Sequence, residues 1–135
     1  MNLTFEQVAY SKPKDVLNWF IKDPNCKIGI AASTEDFGKQ QDVITPLELF
    51  IMFRADTEAK LLFILADQNG KKIDLGYRSS MSELLYTEMC AVAKRYDLMN
   101  FLIEKGAPHG RCFEIMQENV KKTNAELAQK NKSAR

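Results

Sequence analysis

Histidine is almost absent from this chain: His109 is the only one among 135 residues, and most of the usual equipment of acid–base catalysis is missing with it. Cysteine is scarce too. Cys26, Cys90 and Cys112 are odd in number and far apart, which does not suit a disulfide framework and points to free thiols in a reducing compartment. A structural zinc site takes four ligands, commonly in close pairs, so "HGRC", with His109 three residues before Cys112, is too little for one. Nor does it carry a third group to orient a base toward a nucleophile. Neither "DFGKQQD" nor "DQNGKKID" is a glycine-rich phosphate loop opening a helix. No metal and no cofactor is expected. No charge of one sign prevails: 19 Lys and Arg against 18 Asp and Glu leave a net charge of +1, which excludes a protein that draws its affinity from phosphate neutralisation. A nucleic-acid partner is therefore not expected. No apolar run is long enough to span a membrane, and the first residues lack the basic–apolar–small pattern of a secretory signal, so a cytoplasmic protein is expected.

What is present is repetition. Hydrophobic residues make up 45% of the chain and charged residues 27%, distributed throughout, which suits one globular domain over residues 1–135. Three similar segments, "VLNWFIKDPN", "LLFILADQNG" and "LMNFLIEKGA", begin at Val16, Leu61 and Leu98, 45 and 37 residues apart. Each is a bulky apolar block followed by Pro, Asn or Gly, the signals that stop a helix. A second candidate helix precedes each block, so the pattern predicts helix pairs over about 3–22, 45–68 and 82–106. "RCFEIMQENVKKTNAELAQ" places Phe113, Met116, Val120 and Leu127 on one helical stripe and predicts a C-terminal capping helix over about 111–129. Trp19, Phe20, Phe50, Phe53, Phe63 and Phe101 fall at core spacing within the helices. The expectation is an all-α fold of stacked helix-turn-helix repeats. Two long connections interrupt it, "PNCKIGIAASTEDFGKQQDVI" and "NGKKIDLGYRSSM". The first is too long for a structureless loop, and "KIGIAA" is a short strand or a turn of helix.

"TPLELF", Thr45 to Phe50, resembles the motif that opens the first helix of an ankyrin repeat, and "YDLMNFLIEKGAP", Tyr96 to Pro108, resembles its second helix and Gly-Ala turn. Thr45 takes the N-cap, Pro46 the first helical position and Gly106 the left-handed residue that ends the second helix. Glu48 stands where that family has His, and Glu88 falls at the matching place in the last pair. The spacing exceeds the ankyrin period of roughly 33 and lies nearer the roughly 40–47 of HEAT or armadillo units, which stay as the alternative beside a non-repeat bundle. The resemblance to divergent ankyrin repeats implies a non-catalytic module or adaptor that meets a protein partner through its loops and concave face, as a monomer or weak homodimer. It also implies, by likeness to bacterial effectors, possible delivery into a host cell. On that reading the contact residues are Phe37, Lys39, Tyr77, Arg78 and Tyr86, because aromatics and Arg dominate binding hot spots. A small effector enzyme using Cys112, or a structural subunit of an obligate complex, are the alternatives.

Overall fold

The computed structural model describes residues 2–36 and 42–133. Its elements run β1 (Asn2–Thr4), α1 (Phe5–Tyr10), α2 (Pro13–Phe20), β2 (Ile28–Ala31), a single 3-10 turn (Thr34–Asp36), β3 (Asp42–Ile44), α3 (Pro46–Met52), α4 (Asp56–Gln68), α5 (Tyr86–Val92), α6 (Tyr96–Glu104) and α7 (Cys112–Ser133). The expected all-α stack is therefore corrected to a mixed fold. β1 pairs parallel with β2, with Leu3 opposite Ile30, and β2 pairs antiparallel with β3, with Gly29 opposite Val43. β2 is the middle strand of the three, and all four of its residues are buried. The physical reason lies in "IGIA": Ile28 and Ile30 share one face and Gly29 and Ala31 the other, so both faces can be covered while partners on each side take up the backbone N–H and C=O groups.

The first expected helix pair, 3–22, holds two short helices, α1 and α2, with β1 added ahead of them. Thr4 ends β1 and caps α1 at once: its Oγ1 accepts from Gln7 N–H at 3.1 Å, and Gln7 Oε1 accepts from Thr4 N–H at 2.8 Å. This reciprocal box turns the chain sharply from strand into helix. α1 then packs on β1, and α2 packs on α4.

Residues 46–104 do form two helix pairs. α3 and α5 begin 40 residues apart, at Pro46 and Tyr86, and α4 and α6 also begin 40 apart, at Asp56 and Tyr96. Their ends, Gln68 and Glu104, differ by 36, because α4 with 13 residues is one turn longer than α6 with 9. All four helices close in the same way. A left-handed residue follows each, at Arg54, Gly70, Lys94 and Gly106. The next N–H then reaches five residues back: Ala55 to Phe50 O at 2.9 Å, Lys71 to Ala66 O at 2.8 Å, Arg95 to Cys90 O at 2.7 Å and Ala107 to Leu102 O at 2.9 Å. Those bonds satisfy carbonyls that a helix end otherwise leaves open.

The pairs are joined by matching devices. Glu48 Oε1 accepts from Thr45 N–H at 3.3 Å and its Oε2 from Ser79 Oγ at 2.8 Å, while Glu88 Oε1 accepts from Leu85 N–H at 2.9 Å and its Oε2 from Arg111 N–H at 3.1 Å. Each glutamate thus holds its own helix start and the segment leading toward the next unit. Arg95 Nε donates to both Asp56 carboxylate oxygens at 3.0 Å, which ties the two inter-helix turns together and raises the already high Arg95 pKa further through that hydrogen bond. One apolar cluster, from Leu3 to Cys112, runs through both regions. Asn25 joins them on the outside, donating to Lys72 O at 2.6 Å and accepting from Asp74 N–H at 2.9 Å.

α7 begins one residue later than expected and runs to Ser133. It lies against α5, where Asn119 Nδ2 donates to Ala91 O at 2.9 Å. Among the described residues no helix is long and apolar enough to cross a membrane.

Candidate functional site

The expected contact residues do not gather in one place. Phe37 and Lys39 lie outside the described residues. Tyr77 is half-buried, its ring 5.9 Å from that of Tyr86 and capped by Lys27 Nζ at 3.7 Å from the ring centroid. It fastens a loop to the body. Tyr86 is 1% exposed, and its phenol oxygen lies 2.6 Å from Thr45 Oγ1, so the expectation that it meets a partner is corrected. Burial pushes its pKa far above the ordinary phenol value, with the hydrogen bond to Thr45 opposing and the Glu48 charge adding to the rise. A first-turn aromatic on a short helix reads as surface until the neighbouring pair is stacked on it. Arg78 keeps an exposed side chain, yet its Nη1 is engaged with Glu83 O at 3.1 Å and Glu88 Oε1 at 3.4 Å.

His109 and Cys112 are also placed. The His109 ring stands 5.8 Å from that of Phe113, and its Nδ1 lies 3.2 Å from Gly110 O. Cys112 starts α7 fully buried, and burial raises its thiol pKa. Gly110 between them has φ of +48°, and a Cβ there would stand 2.8 Å from Leu85 Cδ1 and 3.0 Å from Glu88 Cδ. The "HGRC" stretch is thus the close approach that lets Glu88 hold Arg111. Burial likewise raises Cys26, and pushes the Cys90 thiol up to about 12, with the nearby Asp56 charge adding to the effect on Cys90. All three thiols stay protonated at neutral pH, the form with little nucleophilicity. Among the described residues no group of three or more His, Cys, Asp or Glu is placed to hold a metal ion.

A different feature has the geometry of a binding site. A cavity of about 400 Å³ opens between α3, α5 and the segment leading into α5, lined by Ile51, Met52, Met81, Leu84, Met89 and Val92. Met52 and Met81 are each 44% exposed and Val92 56%, so three large apolar side chains face water along one groove. Three of the chain's six methionines meet there, and their unbranched, polarisable side chains fit partners of varied shape. Buried Glu48 and Ser79 also line it, as does Arg54, held left-handed with φ of +56°. Nothing in the sequence sets these positions apart, because Met52 and Val92 are the last residues of apolar helices.

Comparison with protein-family models, with curated proteins and with solved structures finds no match to this chain.

Proposed function

We propose that this protein is a non-catalytic protein-binding module whose groove between α3 and α5 receives an amphipathic helix of a protein partner. The observation that carries the reading is the convergence of Met52, Met81 and Val92, all substantially exposed, on one methionine-lined groove. Apolar surface concentrated in a concavity is the usual mark of an interaction site, and an amphipathic helix offers apolar side chains at a spacing such a groove accepts. The two successive pairs, α3–α4 and α5–α6, are read as ankyrin-like units within the mixed fold. Their shared capping, the Thr45-Pro46-Leu47 start and the Glu48 and Glu88 bridges support this, and the groove then corresponds to the face formed by the first helices of the pairs. Arg78, exposed beside the segment that lines the groove, stays in the proposed contact set. Residues 2–36 add a sheet and two helices to one end of these units.

The test is affinity capture from cells that contain the protein, followed by mass spectrometry, with Met52→Glu and Val92→Glu as comparators. Both positions are exposed, so the melting temperature should hold within a few degrees. A partner retained by the native chain should be lost from both variants. Capture that is indifferent to both substitutions would remove the groove from the interface.

A further inference from the structure

The N-terminal region carries a second, unrelated surface. Two grooves share Gln7 and Tyr10: one of about 530 Å³ is lined by Leu3, Gln7, Tyr10, Ser11 and Trp19, and the other, about 350 Å³, by Thr4, Glu6, Gln7, Tyr10 and residues 32–34. Tyr10 is the ridge between them and is 85% exposed, so its ring adds almost nothing to the core. Trp19 is 40% exposed and meets Phe20 edge-on at 6.2 Å, with no ring contact to Tyr10. Two large aromatic rings therefore border an open slot. The polar atoms here are mainly unused donors: Trp19 Nε1, Tyr10 Oη and Gln7 Nε2 have no hydrogen-bond partner among the described residues, whereas Gln7 Oε1 is occupied by Thr4 N–H.

A complementary ligand brings flat apolar rings and free carbonyl oxygens. A polyproline II segment has both, since its prolines have no N–H, its backbone makes no internal hydrogen bonds, and it is already stiff before binding. Its repeat of three residues, about 9 Å per turn, presents successive proline rings at a regular spacing. One end of the surface carries an acidic side chain: Glu6 lines the second groove and has no ion-pair partner among the described residues. We propose that the Tyr10–Trp19 face binds a proline-rich segment of a protein in the polyproline II conformation, with a basic residue of that segment at the Glu6 end. The assignment does not rest on the α3–α5 groove.

Trp19 is the only tryptophan, so its emission reports on this site directly. The probe is the acetylated peptide Arg-Pro-Leu-Pro-Pro-Leu-Pro, titrated into the full chain beside two controls, one with every Pro replaced by Ala and one with Arg replaced by Glu. The expected result is a saturable change in emission with the first peptide and affinity at least about ten-fold weaker with each control. Tyr10→Ala should weaken binding by about ten-fold, the loss of one aromatic anchor, with an unchanged circular dichroism spectrum because the side chain is exposed. No saturable response up to millimolar peptide would overturn the proposal. So would an equal response to the alanine peptide, full affinity in Tyr10→Ala, or saturation by an oligosaccharide such as maltohexaose in place of the peptide.

Discussion

Residues 2–44 and residues 45–107 share one apolar core but are built by different rules. In the second region many helix ends are closed locally: Thr45, Glu48 and Glu88 cap the starts of α3 and α5 from within three residues, and a left-handed residue lies within two of the last residue of each helix from α3 to α6. In the first region, beside the local Thr4–Gln7 box, the strand backbone is satisfied across distance. Leu3 pairs with Ile30 and Gly29 with Val43, so no strand there is stable until segments far apart in sequence have met. The contrast shows that locally closed pairs can be recognised one at a time, whereas the sheet is decided by assembly.

The largest test asks whether the two regions are one cooperative unit. Phe50, 2% exposed in α3, and Phe20, fully buried in α2, belong to the same cluster. Either one replaced by Ala should cost about 3–5 kcal/mol in urea unfolding, as a single transition. A separate, earlier transition of the first region in Phe20→Ala would break the shared core.

Alkaline pH should act chiefly on the second region. The folded Cys90 thiol, pushed up to about 12, lies above its ordinary value of 9.0, so its contribution is fully present below pH 9 and is lost as pH rises toward 12. The buried Tyr86 phenol shifts in the same direction and extends the loss above pH 10. Together they predict falling stability from pH 9 upward, with Cys90 contributing about 4 kcal/mol at the far end. Cys90→Ala should flatten that limb in denaturant titrations across pH. An unchanged slope would show that the thiol is not the titrating group.

Gly110→Ala should cost about 2 kcal/mol or more, since it combines a left-handed backbone with contacts too close for a Cβ, and thermal unfolding would read it. Trp19→Ala should cost only about 1 kcal/mol, far less than Phe50→Ala, despite the similar apolar context of the two residues in sequence. A loss near that of Phe50→Ala would mean that Trp19 is core after all. The smallest effect has the opposite sign. Arg54→Gly or Lys94→Gly should stabilise by about 0.5 kcal/mol, because glycine adopts their left-handed conformation without strain and the gain exceeds its entropic cost.

How far the sequence could be read follows from these differences. Pairs over 45–68 and 82–106 are legible because Thr45, Pro46, Asn69, Gly70 and Gly106 are local start and stop signals, and the observed helices lie within those bounds. The C-terminal helix is legible from its stripe, although it continues past 129 to Ser133. β2 was ambiguous because four apolar residues in a row fit a strand or a turn of helix equally well. The left-handed caps at Arg54 and Lys94 were hidden, since neither position carries Gly or Asn. The candidate site was hardly legible at all: Tyr86 looked available and proved buried, while Met52, Met81 and Val92 carried no signal that set them apart and proved exposed.

By itself, then, the sequence determined the helix pairs of residues 45–107, because helix caps and Schellman closures depend on side chains a few residues apart. The tertiary structure alone decided three other things: that β1 and β2 lie side by side, that Trp19 faces outward beside Tyr10, and that three methionines from separate segments line one groove. In each case the deciding contact joins groups distant along the chain, and whether an apolar side chain is covered depends on which element comes to lie over it.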